Sequence, residues 1–369
     1  MPRGENIYKR KDGRWEGRFP KSRKKDGSIY YGYVYARSYR SVKEQLLEKK
    51  SQYRSTMHQP SVTFKGSFGD WADQWLNIWM IDQIKESTYA SYQHKLTQHI
   101  IPVIGKVSLE LLNVSHINKL VGDLKKKLAP SSIQVVFRVL KSCLKMAKDK
   151  GYIFLNPTDN VSLPRTIKKQ VPALTRREHQ MLLKESKQTI QGLPVLIALE
   201  TGMRIGEISA LQWSDIDFEQ KTIKVNRTKQ RIATSKVTLI GKTKLVETTP
   251  KTIKALRIIP LTEELFNALL KAKTQSKSLY VVETKGTGTE PRTISYRLEK
   301  MKTKLGLSGF GFHSLRHTFA TRCVEIGINI ATISALLGHA SIKMTLDTYT
   351  SSFLESQQAA IAQFSRQNF

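Results

Sequence analysis

A chain of 369 residues, 40% of them apolar, is long enough to bury two or three cores, and its 61 Lys and Arg against 30 Asp and Glu leave a formal charge of +31. That excess makes a polyanionic partner the leading expectation, while two cysteines, Cys143 and Cys323, are too few for a disulfide framework. The opening stretch MPRGENIYKRKDGR has no apolar signal core and no apolar run is long enough to span a bilayer, so a reducing, cytoplasmic setting on nucleic acid with no membrane partner is expected.

The charge is not confined to a tail. Residues 1–65 carry 17 basic and 6 acidic groups, residues 66–171 carry 15 and 8, and residues 172–369 carry 29 and 16. Each segment is therefore able to touch phosphate, with the salt dependence that counterion release imposes.

Residues 6 to about 58 read as short strands and one helix. KDGR (Lys11 to Arg14) and KKDGS (Lys24 to Ser28) are turn signals between runs rich in aromatic and β-forming residues, RWEGRFP and IYYGYVYARSY. SVKEQLLEKKSQY follows, with Ser41 as the expected N-cap and Glu44 three residues on. Such a three-stranded sheet with a basic open face could lie in a major groove. QPSVTFKGS reads as a linker. Beyond it, FGDWADQWLNIWM, STYASYQHKLTQHIIPVIG with Ser87 as cap, LNVSHINKLVGDLKKKL and APSSIQVVFRVLKSCLKMAKDKG show helical spacing, giving four or five helices before Pro157 and Pro164. The Trp71, Trp75 and Trp79 stripe is expected in that domain's core.

A second linker leads to a helix capped by Thr175. The remainder is mixed. LTRREHQMLLKES and GLPVLIALETGMRIGEISALQW are helical in pattern, KTIKVNR and ALRIIPL are strands flanking a polar, basic hairpin, and TEELFNALLKAK returns to helix.

The segment FGFHSLRHTFATRC holds two histidines four apart, as paired metal ligands often are, but the residues after His313 are Ser314 and Leu315 rather than the Glu of a zincin helix, and Arg316 would sit beside any cation. Zinc is the weaker reading. His313 and Arg316 at i and i+3 can instead serve one anion. Glu207, one turn beyond Arg204, is placed to brace that guanidinium.

In order, Arg204, then HSLRH with His313 and Arg316, then LLGHAS with His339, then TLDTYT with Tyr349, resemble the signature of the tyrosine recombinase (phage integrase) family. The resemblance runs from about Leu174 to Ser351 and includes ALTRRE, TPKT and IIPL. It implies a multidomain protein. A small β-sheet plus helix would form an arm-site-binding module at 1–60, an all-α SAM-like core-binding domain would occupy 64–157, and a mixed α+β, mainly helical catalytic domain with a C-terminal tail helix would occupy 172–369. It further implies that Arg204 and Arg316 clamp the non-bridging phosphate oxygens, that His313 holds the phosphate and accepts the nucleophile's proton, and that His339 adds a hydrogen bond. Tyr349 would attack to give a 3′-phosphotyrosine, and Lys251 of TPKT would protonate the leaving 5′ oxygen, with Lys254, Lys242 and Lys244 as rivals. His317, Thr318 and Asp347 are read as supporting groups. No cofactor or metal is expected. The implied partners are double-stranded DNA at core and arm sites and three further copies in a homo-tetramer, with an excisionase or host DNA-bending protein as accessory candidates, in the cytoplasm of a bacterial host. The rival readings are a silent DNA-binding regulator and a type IB topoisomerase.

Overall fold

Turn chemistry shapes the first strands of the structure, a computed structural model that describes residues 6–23, 29–54, 64–166, 173–238, 241–249, 256–339, 341–343, 345 and 346. The chain divides into two units, Met1–Thr166 and Ile167–Phe369. In the first, Gly13 takes a left-handed φ of 83° between β1 (Ile7–Lys9) and β2 (Trp15–Arg23), where a side chain would be strained. Antiparallel β3 (Ile29–Ala36) completes the sheet. Helix α1 (Tyr39–Arg54) packs on one sheet face through Val42 and Leu46, which are buried with Phe19 and Val34. Tyr33 and Tyr35 alternate outward with Val34 and stay exposed. The cap of α1 is Ser38, not Ser41: the Ser38 hydroxyl accepts from the Ser41 amide at 3.2 Å, which puts Ser41 inside the first turn.

The helical part of this unit has α2 (Phe68–Gln74) running into a π-helical segment, Trp75–Met80. Next come α3 (Glu86–Lys95), continued through a second π segment, Leu96–Ile100, into α4 (Ile101–Ile104), then α5 (Val114–Lys125) and α6 (Pro130–Asp149). Ser67 and Asp70 close a capping box on α2, and Asn113 caps α5. Helix α3 has Lys85 in the cap position, two residues before the expected Ser87, which lies within its first turn. Trp71 and Trp75 are fully buried with Leu96, Ile100, Leu140 and Leu144. Truncating either tryptophan to Ala is expected to cost about 3–5 kcal/mol. Trp79, at the rim, is half-buried and lies 3.4 Å beneath the Lys150 ammonium.

In the second unit, the Thr175 hydroxyl accepts from the Glu178 amide and the Glu178 carboxylate from that of Thr175, fixing the start of α7 (Arg176–Ser186). Helix α8 (Leu193–Thr201) is apolar on nearly all sides because it is enclosed on nearly all sides. It stops at Gly202, which is left-handed at φ 63° and so tightly covered that a Cβ would fall 2.6 Å from Phe319 and 2.7 Å from Leu337. The chain then re-enters helix as α9 (Ile205–Ala210).

Strands β4 (Ile216–Asp217), β5 (Thr222–Val225) and β8 (Arg257–Pro260) form one small antiparallel sheet, and β6 (Thr228–Thr238) and β7 (Gly241–Thr248) form the basic hairpin between them. Helix α10 (Glu263–Gln275), the short pair β9 (Glu283–Thr284) and β10 (Thr287–Gly288), α11 (Pro291–Leu305), α12 (Phe312–Glu325) and α13 (Ile330–Leu337) follow. Ile208, Ile223, Leu265, Leu298 and Leu315 knit these into one core. No helix among the described residues is long and apolar enough to cross a membrane.

Candidate active site

Two chain breaks bring the cations together. Gly202 turns the chain so that Arg204, extended at φ −74° and ψ 150°, stands immediately before α9. Its amide donates to Glu207 Oε2 at 2.9 Å and its Nη1 to Glu207 Oε1 at 2.9 Å, the brace that the i, i+3 spacing predicts. Arg316 rises from α12 and is only 3% exposed. Its Nη1 donates to the Gly202 carbonyl at 2.8 Å and its Nη2 to that of Leu337 at 2.7 Å. Arg204 reaches the same helix end, with Nη2 3.3 Å from the Gly338 carbonyl. The end of α13, where unpaired carbonyls concentrate negative potential, therefore anchors both guanidiniums.

Glu207 is 4% exposed. Burial alone would raise its carboxyl, but the hydrogen bond and charge of Arg257, the charge of Arg204 and the Arg204 amide outweigh that and leave it below the usual range. Arg257, on β8, grips Glu207 with Nη2 to Oε2 at 2.8 Å and Nη1 to Oε1 at 3.2 Å, and its Nε donates to the Leu336 carbonyl at 2.6 Å. Sequence reading left Arg257 unassigned. The signal was present: a lone arginine inside the apolar strand ALRIIPL has to find a buried acceptor.

His313 opens α12 toward the cleft, and its ring meets that of His317 edge to face at 4.9 Å between centroids. Partial burial and the charges of Arg316 and Arg204 pull His313 below the ordinary imidazole value. His317 falls to about 4 through burial, His313 and Arg316. Gly338, left-handed at φ 64°, ends α13, and the His339 amide returns to the Ser334 carbonyl at 3.0 Å, so the backbone of His339 does cap the helix. Its imidazole is nevertheless committed elsewhere, with Nδ1 2.7 Å from the Thr345 hydroxyl. Burial and the charges of Arg316, Arg204 and Arg257 bring it to about 4. A group so depressed is neutral at pH 7 and free to share a proton with an incoming phosphate.

A cleft of about 390 Å³ joins Arg204, His313 and Arg316 to the hairpin wall of Thr228, Lys229, Gln230 and Arg231. Gly206 lets that wall approach, since a Cβ there would lie 2.6 Å from Thr228 Oγ1 and 2.8 Å from the Lys229 carbonyl. Lys229 is 6% exposed, with Nζ 3.8 Å from the centre of the Tyr280 ring and 3.5 Å from Glu247. It was not among the sequence candidates. Lys251, Lys254 and Tyr349 lie outside the described residues, as do Asp347, the Lys242 side chain and the expected tail helix; Lys244 is exposed on β7. The Thr318 hydroxyl accepts from the Leu174 amide at 2.9 Å and supports the fold. Among the described residues, no three His, Cys, Asp or Glu side chains converge as metal ligands.

Comparison with known proteins gives this geometry its context. A model of the phage integrase family matches residues 164–355, and a model of the phage integrase N-terminal SAM-like domain matches residues 67–125. The chain is 25% identical over 345 residues to a XerC-like tyrosine recombinase of Caldanaerobacter subterraneus subsp. tengcongensis, covering 85% of this chain and 86% of that one. Among solved structures it is similar in fold to the Tn1549 transposon integrase in complex with a circular intermediate DNA, with a TM-score of 0.67, 20% identity and coverage of 80% and 100%. It is also similar in fold to a lambda integrase tetramer bound to a Holliday junction, with a TM-score of 0.56, 22% identity and coverage of 92% and 96%. Spanning more than half of the sequence, the match to the family model shows that the chain belongs to the phage integrase family and is a tyrosine-type site-specific DNA recombinase.

Proposed function

We propose that the cleft is where this recombinase cuts and rejoins DNA to integrate and excise a mobile element, through a 3′-phosphotyrosine. The observation that carries the reading is the pair of guanidiniums, Arg204 and Arg316, fixed on one helix end beside a neutral His313 and His339. A phosphodiester entering the cleft offers two non-bridging oxygens, and these gain charge as a nucleophile adds in line. Arg204 and Arg316 hold them by charge-assisted hydrogen bonds. The oxygen of Tyr349 gives its proton to His313 as it attacks phosphorus, a base being needed because the reference pKa of a tyrosine phenol is near 10. His339 donates to the phosphate. The bond to the 5′ oxygen breaks as Lys251 protonates it, and attack on the phosphotyrosine by the 5′ hydroxyl of another strand reverses the step. The ester energy stays in the tyrosyl link, so no nucleotide hydrolysis is needed.

The tyrosine-rich sheet would bind arm-type sites, the helical domain core sites, and a homo-tetramer would exchange strands, helped by an excisionase or a host DNA-bending protein. The exposed Tyr33 and Tyr35, and the Arg18 guanidinium 3.5 Å above the Tyr31 ring, suit the sheet to a phosphate backbone and its bases. The test is a nicked suicide substrate carrying the element's own ends. Wild-type protein should accumulate a covalent DNA adduct, and Tyr349→Phe should bind the DNA without forming one. An adduct that survives Tyr349→Phe would overturn the assignment.

A further inference from the structure

The geometry points to Arg257 as a positioning residue that keeps Arg204 free for the phosphate, an inference that rests on placing Arg204 in the phosphate clamp. Glu207 is a buried carboxylate with two oxygens and two guanidiniums in reach. Arg257 takes both oxygens, at 2.8 and 3.2 Å, while the Arg204 side chain is left with one of them, at 2.9 Å. The Arg257 side chain is 5% exposed and that of Arg204 is 38% exposed. The buried arginine thus neutralises the carboxylate, and the accessible one faces the cleft.

Without Arg257, Glu207 would be a buried carboxylate with a single cation in reach. A planar fork is the best partner for such an oxygen pair, so Glu207 would pull Arg204 into the bidentate grip that Arg257 now makes. Arg204 would turn away from the cleft, and the net charge offered to the phosphate would fall by one. Arg257 Nε also holds the Leu336 carbonyl, but Arg316 has its own bonds to the Gly202 and Leu337 carbonyls and keeps them when Arg257 is lost.

Arg257→Met should slow single-turnover adduct formation at saturating suicide substrate by on the order of 100-fold while leaving DNA affinity within about threefold. Adding Glu207→Gln should restore most of that rate. The trio of charges then sums to +1 as in the wild type, and a neutral amide grips Arg204 less. A role in stability alone predicts that any recovery merely tracks the folded fraction read by denaturant melts, because neutralising Glu207 also removes an uncompensated buried carboxylate; the positioning role predicts recovery of the rate per folded molecule. No slowing in Arg257→Met, or a double variant as slow as the single one, would overturn the inference.

If Arg257→Met does not fold, Glu207→Gln is compared with Glu207→Gln/Arg257→Met, in which no carboxylate is left uncompensated. With Glu207 neutral, loss of Arg257 should change the rate by less than about threefold, and a larger loss sinks the proposal. Arg204→Lys run in parallel separates the two levels. If it leaves adduct formation intact, the phosphate clamp itself is misassigned; if it abolishes the adduct while Arg257→Met behaves as wild type, only the role of Arg257 fails.

Discussion

Arg316 and Arg204 share an acceptor: the Leu337 carbonyl lies 2.7 Å from Nη2 of the first and 3.5 Å from Nη1 of the second. Two like charges so close repel each other, and the Glu207 carboxylate together with the carbonyl end of α13 offsets that repulsion.

Arg316→Lys tests how far this depends on the fork and not on charge. One ammonium cannot span the Gly202 and Leu337 carbonyls and also reach a phosphate. Adduct formation should fall about 10²–10³-fold. Unfolding free energy should fall by roughly 1–3 kcal/mol, because a buried carbonyl loses its donor. Denaturant melts and single-turnover rates read the two effects separately, and a Lys variant with wild-type turnover would show that positive charge alone is sufficient.

Gly206→Ala probes the hairpin wall. The added methyl meets Thr228 Oγ1 and the Lys229 carbonyl inside contact distance, so β6 must retreat from the cleft. We expect about 1–3 kcal/mol of destabilisation and slower cleavage with near-normal DNA binding. Unchanged melting would mean that β6 gives way without strain.

The DNA-free protein should lose stability in acid. His317 and His339 sit at about 4 when folded and near 6.5 when unfolded, so between those values the unfolded chain binds more protons. Their contribution is complete above about pH 6.5 and declines as pH falls toward 4, on the order of 2 kcal/mol each by pH 5. A bound phosphate raises both imidazoles, so DNA should flatten the decline and take up protons on binding. The His317→Gln/His339→Gln protein should show a shallower pH dependence of Tm. A profile identical to wild type would acquit these two side chains.

The parts of the site legible in the sequence are those fixed by side-chain identity and local spacing. Arg204 and Glu207 one turn apart, His313 and Arg316 on one helix, and Thr175 at a cap each follow from short-range geometry. The apolar patterns of α6 and α8 announced their burial in the same way. Three features were not legible. The partner of Arg257 is one: its apolar strand called for a buried acceptor, but Glu207 is 50 residues away in the chain and nothing local marks it as that acceptor. Lys229 was one basic residue among many until the hairpin folded against Tyr280 and Glu247. The starts of α1 and α3 shifted because a serine three residues upstream captured one and an uncapped lysine began the other.

Three of the acceptors that orient the arginines are peptide oxygens of residues 336, 337 and 338, and a peptide oxygen is indifferent to the side chain it travels with. Leu336, half-buried, is therefore open to exchange for another apolar residue without disarming the cleft, whereas Leu337 is held to its shape by its packing over Gly202. What tolerates no drift is where the helix stops: one extra turn would bury those oxygens in helical pairing and take from Arg204, Arg257 and Arg316 the anchor they share.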